Sequence, residues 1–206
     1  MAEIAVIGVD VGGTATKAGV VERGGTVLAR SERPTDPSAG TKGILATVED
    51  LVQKASDLDV ELRVIGVGAA GFVDAASGSV TFSPNLVYDD PEIATAVGAR
   101  IGLPVVVDND ANAAAWGERK FGAARGADHV AVVTLGTGIG SGFIVDGKLV
   151  RGLTGAAAEL GHTIVDPDGP QCPCGLKRTG TLYPFPVLRS KCCAARKSSR
   201  YSTFGS

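Results

Sequence analysis

The sequence lacks a surplus of charge of either sign. Its 206 residues include 20 Lys and Arg and 22 Asp and Glu, which gives a formal net charge of -2 and an isoelectric point near 5.7. Nucleic-acid-binding domains carry a basic patch or stripe. This balance therefore predicts no nucleic-acid partner.

Long apolar runs, a leader pattern and a disulfide framework are also missing. No stretch reaches the length of about 20 apolar residues that a membrane-spanning helix needs. The opening M-A-E-I-A-V lacks the basic region and cleavage pattern of a signal peptide. The four cysteines form a C-x-C at 172–174 and an adjacent pair at 192–193, which suits a metal or reduced thiols better than disulfides. We therefore expect a cytoplasmic protein with no membrane segment.

Glycine, in contrast, is abundant. The chain has 29 glycines, grouped at specific places rather than in low-complexity runs. Such groups indicate turns and close approach of the backbone to ligands. Hydrophobic residues make up 44% of the chain, which predicts a folded core.

The hydrophobic pattern predicts an α/β protein. Strands are predicted at 4–10, 17–21, 26–33, 63–70, 103–108, 129–135 and 141–145, with helices at 41–56, 90–100 and 110–121. Short glycine turns join the first three strands into an antiparallel meander. Because strand, glycine turn and strand recur after residue 129, we expect two related halves around a nucleotide cleft. Trp116 is predicted to be a core residue and His129 a surface residue.

Two glycine turns are candidate phosphate sites. The first, D-V-G-G-T at 10–14 with Lys17 beyond it, places an acid and a hydroxyl beside backbone N–H groups. The second is L-G-T-G-I-G-S-G at 135–142. Each could be an ordinary hairpin turn, but a hairpin needs only one or two glycines. The repetition favours phosphate binding.

The run D-N-D-A-N-A-A at 108–114 is a candidate catalytic segment. Asp110 could simply be the N-cap of a helix. A carboxylate at the end of a strand is also where α/β proteins place reactive groups. A helix N-terminus favours its ionised form, which can accept the proton of an attacking hydroxyl group.

The run E-L-G-H at 159–162, followed by C-P-C-G at 172–175, is a candidate metal site. A lone histidine is more often structural, but the nearby C-x-C favours zinc. Structural zinc usually has four ligands, and this stretch offers three.

Together, the four segments resemble the ROK family of sugar kinases, in order from residue 4 to about 177. D-V-G-G-T-A-T-K resembles the first phosphate motif of the family and L-G-T-G-I-G-S-G the second. V-V-V-D-N-D-A-N-A-A-A-W-G-E resembles the catalytic segment, in a form typical of actinobacterial glucokinases. A-E-L-G-H-T-I-V with C-x-C-G resembles the start of the zinc signature. The resemblance implies an actin-like (ribonuclease H-like) ATPase fold with two lobes around a nucleotide and sugar cleft.

The resemblance also implies roles for individual residues. Asp110 would be the general base for transfer of the γ-phosphoryl group of ATP to the 6-hydroxyl of glucose. The implied sugar contacts are Gly71, Asn85, Asn109, Asp110, Glu159 and His162. ATP and Mg²⁺ would be held by Asp10, Gly12, Gly13, Thr14, Lys17, Gly136, Thr137 and Gly138. A structural zinc ion would be held by His162, Cys172 and Cys174.

The chain departs from the family pattern after Lys177. The family continues C-x-C-G-x-x-G-C-x-E, but Thr179 and Thr181 stand in place of the cysteine and the glutamate, so the zinc site is expected to be incomplete. All acidic residues precede Arg178, and six basic residues follow from there. A reading-frame change would produce such a tail. The predicted domains are a small lobe at 1–110, a partial second lobe at 111–177 and an aberrant basic tail at 178–206.

Three alternatives stay open. The sugar contacts are shared across the family, so the substrate could be another hexose, such as fructose or N-acetylmannosamine. The chain could be a non-catalytic remnant. A ROK transcriptional repressor is less favoured, because its helix-turn-helix would precede the first strand. The implied partners are a small-molecule hexose and ATP, and the family implies homo-oligomers.

Overall fold

The computed structural model describes residues 2–83, 86–135, 138–166, 168 and 171–172. The chain divides into two compact units between Asp110 and Ala111. Each unit combines helix and β-sheet, as the α/β prediction requires. Within the described ranges, no helix combines the length and the apolar character needed to cross a membrane.

A five-stranded mixed sheet forms the centre of the first unit. Its strands are β1 (Glu3–Val11), β2 (Ala15–Glu22), β3 (Val27–Pro34), β4 (Val60–Ala69) and β7 (Val105–Asn109), in the order β3-β2-β1-β4-β7. The β1–β2–β3 meander is antiparallel, whereas β1, β4 and β7 run parallel. Parallel strands end at the same edge of a sheet. The carboxyl ends of β1, β4 and β7 therefore lie along one edge.

Two helices accompany this sheet. The first, α1 (Gly40–Ala55), has apolar residues at helical spacing, and Ile44, Val48 and Leu51 are buried in the core. The second, α2 (Ile93–Ile101), ends at Gly102, whose φ of +80° is the left-handed conformation common after helix ends. Both helices lie within a few residues of their predicted ranges.

A two-stranded hairpin in the first unit was not predicted. It consists of β5 (Phe72–Asp74) and β6 (Ser79–Phe82), with Val73 opposite Val80. Within the two strands, only these valines are buried. Strands this short have too few alternating positions to show a clear period in the sequence.

The helix α3 (Asp110–Phe121) begins with the last residue of the first unit and otherwise belongs to the second. The second unit also contains β8 (Val130–Leu135), β9 (Ile139–Val145), β10 (Lys148–Leu149) and a short 3₁₀ turn (Leu160–His162). The strands form an antiparallel sheet in the order β10-β9-β8. The two strands predicted to flank the second glycine motif are thus present as β8 and β9.

The prediction that Trp116 is a core residue is wrong. Its side chain is 36% exposed, and its ring packs under the charged groups of Arg119, at 5.5 Å, and Lys120, at 4.9 Å. The buried side of α3 carries Ala111 and Ala115 instead, because β9 approaches that side too closely for a large ring. His129 is exposed, as predicted.

Candidate active site

The first phosphate turn, Gly12–Thr14, joins β1 to β2. The Gly12 N–H donates to the Ala15 carbonyl oxygen at 3.2 Å, which closes the turn. A Cβ added to Gly12 would lie 3.0 Å from that same oxygen. A side chain at this position would require the turn to open by a few tenths of an ångström, so glycine fits it with the least distortion.

Asp10 precedes this turn on β1, opposite Lys17 on β2. The Asp10 side chain retains exposed surface, yet desolvation of its carboxyl group raises its pKa, and the positive charge of Lys17 only partly offsets this effect. A cation bound beside Asp10 would favour the ionised carboxylate further. The site chemistry therefore fits the predicted role of Asp10 toward Mg²⁺.

The sugar-contact candidates Gly71 and Asn109 meet at the same sheet edge. Ala69 at the end of β4 pairs with Asn109 at the end of β7. The Asn109 side-chain amide donates to the Gly71 carbonyl oxygen at 3.0 Å, and Asn109 is only 8% exposed. Ala69 also pairs with Val11, next to the phosphate turn. The fold thus brings the first phosphate turn, Gly71 and Asn109 to one edge.

Asp110 follows Asn109 directly and is the first residue of α3. The partial positive charge of a helix N-terminus favours an ionised carboxylate there. Tyr88 lies nearby: its hydroxyl donates to the Ala70 carbonyl oxygen at 3.3 Å. Burial raises the pKa of Tyr88, and the negative charge of Asp110 raises it further. Tyr88 therefore stays neutral beside the candidate base.

Two glycines of the second phosphate motif serve packing. A Cβ added to Gly142 would lie 2.7 Å from the Ala111 carbonyl oxygen, and one added to Gly140 would lie 3.0 Å from the Ala111 Cβ. The sequence argument assigned the density of glycines in this motif to phosphate contact. Close packing of β9 on α3 accounts for Gly140 and Gly142. Gly136 and Gly138 are left as the candidates for phosphate contact.

Glu159 and His162 belong to a segment that Ser141 holds. The Ser141 hydroxyl donates to the Ala158 carbonyl oxygen and accepts the Leu160 N–H at 3.0 Å. Ser141 is 4% exposed. Its single hydroxyl group thus binds the backbone on both sides of Glu159. Ala158 has a φ of +66°, an unusual conformation for a residue other than glycine. Ser141 therefore ties down the backbone on both sides of Glu159.

The zinc prediction involves His162, Cys172 and Cys174. Burial lowers the pKa of His162, which favours the neutral imidazole that binds metals. Cys172 is buried. Within the described ranges, no three His, Cys, Asp or Glu side chains come together to hold a metal ion. Cys174 lies outside those ranges, so zinc stays a prediction.

Several other predicted residues also lie outside the described ranges. These are Asn85, Gly136, Thr137 and the whole tail after residue 177. Conversely, sequence reasoning missed three residues that bond to or beside candidate segments: Thr35 and Tyr88 in the first unit and Ser141 in the second. The only sequence signal for any of them was the place of Ser141 within the second phosphate motif.

Comparisons with known proteins agree with the resemblance seen in the motifs. The model of the ROK family matches residues 6–179. The glucokinase of Streptomyces coelicolor is 46% identical over 171 residues, which cover 82% of this chain and 52% of that protein. The glucokinase of Thermotoga maritima is 39% identical over 178 residues, covering 86% and 56%. The chain thus spans about half the length of these relatives.

A solved structure shows the same fold. The crystal structure of a ROK family glucokinase from Streptomyces griseus, in complex with glucose and AMPPNP, superposes with a TM-score of 0.78 at 46% identity. The match covers 87% of this chain and 56% of that one. The prediction of an actin-like ATPase fold is confirmed.

Proposed function

Because this chain belongs to the ROK family, we propose that it carries the phosphate-binding turn and the general base of a glucokinase. The reaction transfers the γ-phosphoryl group of ATP to the 6-hydroxyl of glucose. The observation that carries this proposal is the meeting of the first phosphate turn, Gly71, Asn109 and Asp110 at one sheet edge. Glucose and an ATP analogue bound to the Streptomyces griseus relative support the choice of substrates.

Asp110 is the proposed general base. Its carboxylate accepts the proton of the 6-hydroxyl as the hydroxyl oxygen forms a bond to the γ-phosphorus and the bond to the β-phosphate oxygen breaks. The partial positive charge at the N-terminus of α3 favours the ionised carboxylate, which can accept that proton.

The sugar is held by side chains with hydrogen-bonding oxygen and nitrogen atoms. Asn109 has one of its amide hydrogens bonded to the Gly71 carbonyl oxygen. An amide side-chain oxygen accepts hydrogen bonds, and we assign that of Asn109 to a sugar hydroxyl. We assign the same role to Asn85, Glu159 and His162 from the family motif.

The nucleotide phosphates are held by the two glycine turns. We assign this role to residues in and beside each turn. At the first turn they are Asp10, Gly12, Gly13, Thr14 and Lys17, and at the second they are Gly136, Thr137 and Gly138. Mg²⁺, when bound, neutralises the charge that develops on the phosphate oxygens. Zinc, held by His162, Cys172 and Cys174, is proposed as structural, and we expect the protein to form homo-oligomers.

Replacing the base tests this function. Asp110→Asn keeps the shape of the side chain but cannot accept the proton, so the rate of glucose phosphorylation should fall about 10²–10⁴-fold while MgATP still binds. Asp59→Asn, before β4 at the opposite edge of the same sheet, is the matched control and should leave the rate unchanged. The assay couples glucose 6-phosphate formation to a dehydrogenase, with fructose, mannose and N-acetylmannosamine run in parallel.

Two results would overturn the proposal. If Asp110→Asn retained more than a tenth of the wild-type rate, Asp110 would not be the general base. Alternatively, the wild-type chain could neither bind MgATP nor phosphorylate any of the hexoses. A preference for a hexose other than glucose would correct the substrate but not the reaction.

A further inference from the structure

We propose that Thr35 is a positioning residue that sets the conformation of the first phosphate turn. Thr35 lies just after β3, outside the turn itself. Its hydroxyl donates to the Gly12 carbonyl oxygen at 2.7 Å, and its backbone N–H donates to the Thr14 carbonyl oxygen at 3.0 Å. One residue thus binds both ends of the three-residue turn.

These bonds orient the donor groups of the turn. In a planar trans peptide, the carbonyl group and the following N–H point in opposite directions, and the described residues contain no cis peptide. Because the Gly12 carbonyl points toward Thr35, the Gly13 N–H points away from Thr35. A phosphate oxygen on that side of the turn would meet this N–H.

The Thr16 hydroxyl completes a chain of hydrogen bonds. It lies 3.1 Å from the Thr35 hydroxyl oxygen. A hydroxyl group has one proton, and that of Thr35 is directed at Gly12, so Thr16 is the donor to Thr35. A chain of this kind, from Thr16 to Thr35 to Gly12, strengthens each of its hydrogen bonds.

Packing is incomplete on one side of Thr35, where its hydrogen bonds help to hold it. A pocket of about 90 Å³ lies beside Thr35, between this loop and α1. Its lining includes Val11, Thr16, Thr47 and Leu86. Since the pocket leaves room for the Thr35 side chain to shift, loss of the hydroxyl bond would let the residue and the turn move.

The loop after Thr35 is a hydrogen-bonded turn. The Asp36 carboxylate accepts the Ser38 N–H at 2.9 Å and the Ser38 hydroxyl at 2.7 Å, and the Ala39 N–H donates to the Asp36 carbonyl oxygen at 3.0 Å. This bonded turn leads directly into α1. Thr35 therefore connects the phosphate turn to the hydrogen-bonded turn that precedes α1.

The role assigned to Thr35 rests on the proposed function, because it requires a nucleotide phosphate at the turn. Three variants test it. Thr35→Val removes the hydroxyl and keeps the branched shape, and Thr35→Ser keeps the hydroxyl. Thr47→Val is the matched control, since the Thr47 hydroxyl lines the same pocket but donates within α1, to the Gly43 carbonyl oxygen at 2.8 Å.

We expect the dissociation constant of MgATP, measured by titration calorimetry, to rise about three- to ten-fold in Thr35→Val, the effect of one lost hydrogen bond. It should stay within about two-fold of wild type in Thr35→Ser and Thr47→Val. The KM for glucose should change less than the KM for ATP. Equal losses of affinity in Thr35→Val and Thr47→Val would overturn the proposal.

Amide hydrogen exchange, followed by NMR without any ligand, separates this proposal from the proposed function. The backbone N–H of residue 35 donates to the Thr14 carbonyl oxygen. Its hydrogen should exchange faster than in wild type when Thr35 is replaced by Val, and at the wild-type rate in Thr47→Val. If wild type fails to bind MgATP but this exchange pattern appears, the positioning of the turn stands and the nucleotide assignment is wrong. Unchanged exchange in Thr35→Val would overturn the positioning role.

Discussion

The Asn109 side-chain amide donates a hydrogen bond of 3.0 Å to the Gly71 carbonyl oxygen. These two residues were predicted separately, each as a contact to the sugar. The structure shows that they also contact each other, from the ends of neighbouring parallel strands. A change at Asn109 therefore alters the backbone at Gly71 as well as any direct contact with a sugar.

Replacing Asn109 with a carboxylate should destabilise the first unit. Asn109→Asp has the same shape, but an ionised carboxylate cannot donate to the Gly71 carbonyl oxygen, and leaving that buried pair unsatisfied costs about 1–3 kcal/mol. Urea denaturation at pH 7 measures this loss. At pH 4 the introduced carboxyl group is partly protonated and can donate again, so the difference from wild type should shrink. A loss that is independent of pH would contradict this explanation.

Gly71 should tolerate substitution less well than Gly102. Both have positive φ, +138° and +80° respectively, which costs other residues about 1–3 kcal/mol. A Cβ at Gly71 would also lie 2.5 Å from the Phe82 carbonyl oxygen, whereas nothing lies within 4 Å of one at Gly102. In urea denaturation, Gly71→Ala should therefore lose clearly more stability than Gly102→Ala. Equal losses would show that backbone strain alone matters.

The stability of the protein should depend on pH through Asp10. Its pKa in the folded state is raised above the usual 3.8, chiefly by burial. The folded state therefore holds this proton more tightly, and the free energy of unfolding contributed by Asp10 falls as the pH rises from 3.8 through the folded-state pKa. Asp10→Asn should remove this fall and stabilise the protein at neutral pH.

Asp36 provides a control, because its pKa is shifted in the direction opposite to that of Asp10. Hydrogen bonds from Ser38 lower its pKa below 3.8, so it contributes stability above that pH, which is lost as the pH falls through the folded-state pKa. Asp36→Asn should therefore destabilise the protein at neutral pH. Urea denaturation between pH 3 and pH 7 compares the two variants, and shifts of the same sign would contradict the assigned causes.

Tyr88 should report on the charge of Asp110. Its pKa is raised above the usual 10.0 by burial and, secondarily, by the negative charge of Asp110. Asp110→Asn should lower the pKa of Tyr88, although burial keeps it above 10.0. At one alkaline pH at which the protein stays folded, the phenolate absorbance of Tyr88, taken as the difference from the matching Tyr88→Phe variant, should therefore be larger in Asp110→Asn. An unchanged pKa would place Asp110 too far away to act on Tyr88.

The sequence was sufficient to predict most regular elements, because their signals are local. The buried run before the first phosphate turn and the helical spacing of Ile44, Val48 and Leu51 correspond to β1 and α1. The β5–β6 hairpin was missed because its few buried residues form no visible period. The place of Trp116 was predicted wrongly, because the close approach of β9 to α3 is a tertiary property.

The candidate site was predictable only where its residues form a motif. Asp10, Asn109 and Asp110 lie within recognisable runs. Thr35 and Tyr88 contact the site across long sequence separations, and nothing in their neighbouring residues indicates this. Ser141 lay within a motif, but its bonds to Ala158 and Leu160 depend on how the chain returns to β9. The glycine density of the second motif was overinterpreted, since two of its glycines pack on α3.

The parallel pairing of β1 with β4, and of β4 with β7, has a consequence for the nascent chain on the ribosome. β1 can pair with β2 soon after synthesis, but its other side has no partner strand until β4 has been made. In the same way, β4 has no second partner until β7, which ends at Asn109, has been made. At about 5–20 residues per second, the interval from the end of β2 to the end of β4 is roughly 2–9 s. During that time Ile7 and Val9, buried in the finished protein, are available to chaperones.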